Sequence, residues 1–176
     1  MNTILDYSLP ELKKVIANLN QPEWRAKQLL EAAYNGLNFS DNLNLPKPLI
    51  EQLQQNYVLQ GVGIYKQVKS NDNSIKFLYK LQDNNIIEGV LMEYKYGSTI
   101  CISTQVGCRM GCAFCASGIG GLVRNLSAGE ILGQVLAVNS YMGGTVTNRK
   151  VTNIVLMGSG EPLDNYQNVT KFLKLV

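Results

Sequence analysis

The four cysteines of this chain lie within fifteen consecutive positions, and three of them form the pattern Cys108-x3-Cys112-x2-Cys115. Three thiolates on one short loop can bind three irons of a cubic iron-sulfur cluster and leave the fourth iron open to a ligand that is not protein. A structural zinc site needs four protein ligands, usually in two close pairs. Cys101 could supply a fourth thiolate, but it lies on a predicted strand. The spacing therefore favours a cluster over zinc, and the clustering of thiols favours metal or redox chemistry over structural disulfides.

The region around these cysteines has the pattern of an α/β fold. From residue 98 a strand, a helix, a second strand and a second helix follow one another. The first of these helices begins with a capping box, because Glu130 follows Ser127 by three residues. This order predicts parallel pairing of the two strands. The predicted elements are strands at 99–104 and 151–157, the second read as buried, and helices at 127–142 and 166–176.

The residues before this region predict two further parts. Runs of β-branched and aromatic residues at 62–68, 75–81 and 86–94 predict an antiparallel β meander, which forms a linker region over 61–97. Residues 1–60 predict a small helical accessory domain of three helices, the first opened by a capping box of Ser8 and Glu11. The second helix is expected at 22–34, with Trp24 packed against a neighbouring helix, and the third is expected to follow Pro46 and extend through Tyr57.

Composition excludes several classes of protein. The chain has 176 residues, of which 45% are hydrophobic and 16% charged, as in ordinary globular proteins. Its apolar runs fall short of the roughly 20 residues of a membrane span, and its start lacks the pattern of a signal peptide, so we expect a cytoplasmic protein without a membrane partner. The net charge is +3. The basic excess lies in residues 95–176, which could attract a polyanion weakly.

Several separated motifs resemble those of one enzyme family. The pattern Cys108-x3-Cys112-x-Phe114-Cys115, directly after a strand, resembles the signature of radical S-adenosylmethionine (radical SAM) enzymes. With three further segments, the chain resembles the radical SAM RNA methyltransferases that methylate adenine at carbon 2, and the similarity covers nearly the whole chain. These segments are Cys101-Ile-Ser-Thr-Gln-Val-Gly-Cys108, Arg124-Asn125-Leu126 and Met157-Gly-Ser-Gly-Glu161-Pro-Leu163.

The resemblance implies a cofactor site. Cys108, Cys112 and Cys115 would bind a [4Fe-4S] cluster, whose open iron chelates S-adenosylmethionine and whose electron yields a 5'-deoxyadenosyl radical. Gly160 and Glu161 would contact the methionyl part of that cofactor. A glycine lets the backbone approach a ligand, and a carboxylate can accept from an ammonium group. Without this context, the same segment is a simple strand-to-helix turn.

The resemblance also implies catalytic residues and partners. Cys101 would resolve a covalent link between enzyme and RNA, although by itself it reads as a small core residue. Glu88 would accept a proton, although by itself it is a carboxylate in an apolar strand that could face solvent. The implied partners are RNA, namely 23S rRNA with transfer RNA as a second candidate, and an electron donor such as flavodoxin or ferredoxin. A disulfide bond is implied as well.

The chain departs from the family pattern in its length. The family uses a second, methyl-carrying cysteine near its C-terminus, and this sequence has no cysteine after Cys115. From residue 98 onward there is room for about two strand-helix units, whereas the family barrel has six. We therefore expect a partial radical SAM (β/α) barrel, the N-terminal part of a longer enzyme that is inactive alone.

Three other interpretations stay open. A sister group methylates carbon 8 of the same adenine, although Val106 and Pro162 favour carbon 2. Ser159 stands where the family has methionine, and nothing in the sequence explains it. The chain could instead be a non-catalytic RNA-binding fragment. Salt-dependent binding of RNA that does not require a cofactor would favour this interpretation. It could also be a zinc-stabilised structural domain, which a chelator would unfold.

Overall fold

The computed structural model describes residues 1–176, in which helices and strands alternate along the chain. The helices are α1 (Leu9–Asn18), α2 (Arg25–Tyr34), α3 (Lys47–Gln54), α4 (Ala128–Tyr141) and α5 (Tyr166–Leu175). The strands are β1 (Asn2–Thr3), β2 (Tyr57–Val58), β3 (Val62–Lys69), β4 (Ile75–Leu81), β5 (Ile86–Tyr94), β6 (Gly97–Ile102), β7 (Gln105–Gly107), β8 (Leu122–Asn125) and β9 (Val151–Val155). The chain therefore has the mixed α/β character that its pattern predicted.

A five-stranded sheet in the order β3-β4-β5-β6-β9 forms the centre of the molecule. The strands β3 to β6 pair antiparallel in succession, which confirms the predicted meander. The chain then crosses through α4 to β9, which pairs parallel with β6, as the predicted strand-helix order required. Since β5 also pairs with β6 along its length, the meander and the parallel pair share one continuous sheet.

Helix α4 covers one face of this sheet. Its N-terminus is closed by the predicted capping box, in which the Glu130 backbone N–H donates to Ser127 Oγ at 3.2 Å and the Ser127 N–H donates to the Glu130 carboxylate at 3.0 Å. Within the helix, Gln134 exchanges two hydrogen bonds of 2.9 Å with the backbone of Ser103, directly after β6. The helix thereby fixes the point where the chain leaves β6. Its core residues are Ile131, Leu132, Val135 and Val138, which belong to the same cluster as Ile100, Ile102, Phe77 and Tyr79.

Helix α1 packs against α2, and the turn Ile4–Asp6 before them contacts both α2 and α4. The first predicted capping box is present, since the Ser8 N–H donates to Glu11 Oε2 at 2.7 Å. The prediction that the third helix extends through Tyr57 was wrong, because α3 ends at Gln54 and Tyr57 pairs with Asn2 in a short parallel ribbon of β1 and β2. The prediction for Trp24 was also wrong. Its side chain is 56% exposed and lies under the Arg25 guanidinium, 4.6 Å from the ring centroid.

Strand β9 is shorter and less buried than predicted. It ends at Val155 rather than at residue 157, and only Val151 of the strand is buried. The physical reason is its position, because β9 pairs only with β6 and leaves its other edge open. None of the helices combines the length and apolar character required to cross a membrane.

Candidate cofactor and active site

The cysteine loop is closed at its base by a small hairpin of β7 and β8. Gln105 pairs with Asn125 in this hairpin, and the Cys108 N–H donates to the Gly121 carbonyl at 3.1 Å. Gly107 has a φ of +74°, and a Cβ added to it would collide with the same Gly121 carbonyl oxygen. Only glycine fits this closure. The hairpin was not predicted, because three residues of strand are too few to show a period.

The three loop cysteines have different surroundings. Cys108 is buried, whereas Cys112 and Cys115 are exposed and joined by a turn in which the Cys115 N–H donates to the Cys112 carbonyl at 3.0 Å. Hydrogen bonds from Ser117 lower the pKa of the Cys115 thiol below its ordinary value. All four thiols are free, so the disulfide that the resemblance implied has no counterpart here.

The donor set of the loop fits a cluster held through three thiolates. The loop offers three soft sulfur ligands, and Cys101 lies outside it on β6. A cubane with one open iron requires such a set, whereas structural zinc requires a fourth ligand. No group of three or more cysteine, aspartate, glutamate or histidine side chains is arranged to hold a metal ion in the structure. The match between the loop and a [4Fe-4S] cluster therefore rests on the number and type of its ligands, which are three thiolates.

A cavity of about 430 Å³ brings Glu88 and Cys101 together with residues that adjoin two of the motifs, whereas the three loop cysteines, Gly160 and Glu161 do not line it. Cys101 lies beside Gly158, where an added Cβ would come within 3.1 Å of the Cys101 sulfur. Burial raises the pKa of the Cys101 thiol. The Glu88 carboxylate lies in the same cavity and forms an ion pair of 2.7 Å with Lys76. The remaining residues of the lining include Ser117 from the end of the cysteine loop and Ser159 from the Gly-Ser-Gly-Glu segment.

The sheet register explains why Glu88 and Cys101 share this cavity. Val90 pairs with Cys101 across β5 and β6, and Glu88 precedes Val90 by two residues, so all three side chains lie on one face of the sheet. The Ser103 hydroxyl donates to the Glu88 carbonyl at 2.7 Å and holds that backbone in place. Glu88 is exposed to solvent, which was the alternative that its place in an apolar strand left open. Its side chain nevertheless lies on the face of the sheet that borders the cavity.

Hydrogen bonds of the Gln105 side chain connect the Gly-Ser-Gly-Glu segment to β7. The Glu161 N–H donates to Gln105 Oε1 at 2.9 Å, and Gln105 Nε2 donates to Asn125 and to Asp164 at 2.8 Å each. Gly160 has a φ of +106°, and its hydrogen faces the Gln105 backbone, where a Cβ would lie 2.8 Å from the amide nitrogen. The backbone of Ser159 takes part too, since its carbonyl accepts from Thr104 N–H at 2.9 Å.

Asp164 connects this segment to the cysteine loop. The Arg109 guanidinium donates to Asp164 Oδ1 from Nε at 3.2 Å and also from Nη2. The hydrogen bond from Arg109 and, to a smaller extent, the one from Gln105 hold the pKa of the Asp164 carboxyl below its ordinary value. Arg109 directly follows Cys108, so the two halves of the site are joined by one ion pair. Sequence reasoning missed Gln105, Arg109 and Asp164 because no local pattern indicates contacts between residues more than 50 positions apart.

Arg124 supports the hairpin from the other side. Its guanidinium binds Glu130 at the start of α4 through two hydrogen bonds of 2.8 Å, and its Nε donates to Asp83 Oδ2 at 2.6 Å. Hydrogen bonding to Arg124 lowers the pKa of Asp83 to about 2. Arg124 therefore joins β8, α4 and the turn between β4 and β5.

Comparisons with known proteins agree with these motifs. The chain matches, with 36% identity and a TM-score of 0.89, the crystal structure of a radical SAM methyltransferase from Sphaerobacter thermophilus, over 99% of this chain and 52% of that one. In curated proteins it is 52% identical over 178 residues to the "Probable dual-specificity RNA methyltransferase RlmN" of Clostridium botulinum (strain Alaska E43 / Type E3). It is 51% identical over 178 residues to the protein of the same name from Clostridium tetani.

Both of these curated matches cover all of this chain and 50% of the relative, so the chain spans about half the length of the curated relatives it matches. No protein-family model matches the chain. The chain is therefore related along its whole length to the radical SAM RNA methyltransferases, which confirms the resemblance seen in its motifs.

Proposed function

We propose that this chain carries the cofactor site of a radical SAM RNA methyltransferase that methylates carbon 2 of adenine. The observation that supports this most is the shared cavity, in which Glu88 and Cys101 meet the end of the cysteine loop, at Ser117, and the start of the Gly-Ser-Gly-Glu segment, at Gly158 and Ser159. These groups come from four separate parts of the sequence. The names of the curated relatives support RNA as the substrate, and the resemblance of the motifs makes ribosomal and transfer RNA the two candidates.

Each residue then has a defined task. Cys108, Cys112 and Cys115 would hold the [4Fe-4S] cluster, which supplies, when bound, the electron that cleaves S-adenosylmethionine. Gly160 lets the backbone approach the methionyl part of that cofactor, and the Glu161 carboxylate accepts from its ammonium group. The Cys101 thiol lines the cavity beside Gly158, and its role would be to resolve the covalent link between enzyme and RNA. The Glu88 carboxylate lies at the same cavity as a proton acceptor, with Lys76 orienting it.

Iron analysis tests the cofactor site directly. Anaerobically reconstituted wild-type chain should contain about four irons and four acid-labile sulfides per molecule. The Cys112→Ala variant should lose them, because a loop with two thiolates cannot hold the cluster. Cys101→Ala is the matched control, since it removes a cysteine outside the loop and should retain the iron. Stoichiometric zinc without sulfide would contradict the proposal and favour a zinc-stabilised domain.

We further propose that the 176-residue chain does not methylate RNA by itself. It spans about half the length of its curated relatives and contains no cysteine beyond Cys115 to carry the methyl group. The reconstituted chain, incubated with RNA, S-adenosylmethionine, and flavodoxin or ferredoxin as electron donor, should form no methylated adenine. Mass spectrometry of the digested RNA measures this, and 2-methyladenine above the no-enzyme blank would refute the prediction. A signal at 8-methyladenine would refute the prediction as well and would also favour the sister group.

A further inference from the structure

The sheet face that carries Cys101 continues across three further strands. Directly paired residues of neighbouring strands point to the same face. Cys101 pairs with Val90, Val90 with Lys76, and Lys76 with Val68, so one row of side chains crosses from β6 to β3. The neighbouring rows add Lys66, which pairs with Leu78, and Lys80, which pairs with Ile86. The cavity with Cys101 therefore opens onto a face that carries three lysines.

This face is positively charged. Lys66, Lys76 and Lys80 are exposed, and neither Lys66 nor Lys80 forms an ion pair. Glu88 is the only carboxylate that β3, β4 and β5 present on this side, and it is paired with Lys76. Of the acidic side chains in the two adjoining turns, Asp83 is paired with Arg124, whereas Asp72 accepts only from Ser74 and keeps its charge at the edge of this face. The face thus has a net excess of positive charge.

The lysines lie within about 15 Å of the strand that carries Cys101. Neighbouring strands are about 4.8 Å apart, so the row of Lys76 on β4 lies about 10 Å from β6, and Lys66 on β3 about 14 Å. Lys76 connects the lysines to the cavity, because its ammonium group also contacts Glu88. Exposed Val68 and Ile86 lie among the lysines on this face. A row of cations with exposed apolar groups between them suits an extended strand of charged phosphates better than a compact ligand.

We propose that Lys66, Lys76 and Lys80 form a phosphate-binding track that guides single-stranded RNA to the cavity of Cys101 and Glu88. This rests on the proposed function for the identity of the polyanion. The track consists of side chains on β3 and β4, outside both the cysteine loop and the Gly-Ser-Gly-Glu segment.

Fluorescence anisotropy with a fluorescein-labelled, adenine-containing 15-nucleotide RNA tests the track on the 176-residue chain, without cofactor. The variant Lys66→Gln/Lys80→Gln removes two phosphate contacts and leaves the Lys76–Glu88 pair intact. Its slope of log affinity against log salt should fall in magnitude by about 1.4, with binding about ten- to thirtyfold weaker at 0.1 M salt. The matched control is Lys14→Gln/Lys47→Gln, an equal change of charge on two exposed lysines of the N-terminal helices. The control should bind nearly as the wild type does.

A charge-retaining variant, Lys66→Arg/Lys80→Arg, should keep the wild-type affinity for RNA. It therefore distinguishes a loss of positive charge from a loss of folding as the cause of weaker binding. Equal losses in the glutamine variant and its control would overturn the track and assign binding to net charge. Binding of polyglutamate as tight as RNA, with the same lysine dependence, would overturn it in favour of an acidic protein. Absence of RNA binding by the wild-type chain would overturn both the track and the RNA substrate, whereas the iron analysis above tests the cofactor site independently.

Discussion

Replacing Gly160 by alanine is expected to lower the free energy of unfolding by about 2 to 3 kcal/mol, because the substitution combines backbone strain with a steric clash. The φ of +106° at this position is rarely adopted by residues with a side chain. The new Cβ would also lie 2.6 Å from the Gln105 Cβ and 2.8 Å from its amide nitrogen. Gln105 cannot move away, since it holds Asn125, Glu161 and Asp164.

Urea denaturation and thermal unfolding measure this effect, which corresponds to a fall in melting temperature of about 4 to 12 °C for a chain of this size. Gly120→Ala provides the matched control. Gly120 lies in the cysteine loop with no atom within 4 Å of an added Cβ, so its substitution should change stability little. If Gly160→Ala unfolded at the wild-type temperature, the close docking of the Gly-Ser-Gly-Glu segment on Gln105 would be refuted.

Replacing Arg124 by alanine should cost about 2 kcal/mol of stability at neutral pH. The variant leaves the Glu130 carboxylate, whose side chain is 11% exposed, without its bidentate partner. The cost stays below that of a fully buried pair because Arg124 itself is 33% exposed and water screens its charge. Arg124→Lys should recover part of the loss, since a lysine keeps the charge but not the bidentate geometry. Chemical denaturation measures each difference.

The loss in Arg124→Ala should depend on pH in a defined direction. Arg124 lowers the pKa of Asp83 from 3.8 to about 2 in the folded chain. A depressed carboxyl pKa stabilises the fold above the unfolded pKa, and this contribution is lost as pH falls through the folded pKa. The stability gap between wild type and variant should therefore narrow as the pH falls from about 4 to 2. Arg149→Ala, which removes an exposed arginine without an ion pair, should show no such narrowing, and a gap that stayed constant would contradict the role of Asp83.

Local sequence signals determined much of the fold. The capping boxes at Ser8 and Ser127 were predicted correctly because both partners lie within three residues of each other. The strands Ile75–Leu81 and Ile86–Tyr94 have the predicted bounds, since β-branched and aromatic runs end there at turn-forming residues. The motifs also predicted the family, because their residues are read in order along the chain.

The tertiary structure decided the features that depend on distant residues. Tyr57 was predicted as helical, but it pairs with the chain start, which no local pattern indicates. The network of Gln105, Arg109 and Asp164 likewise joins residues more than 50 positions apart.

Charge shows the same distinction between sequence and structure. Counted along the sequence, the basic excess lies in residues 95–176. The lysine face lies in β3 and β4, where the alternation of side chains puts Lys66, Lys76 and Lys80 on one side of the sheet. The physical reason is that a linear count averages over both faces of a strand, whereas pairing between strands determines which charges share a surface.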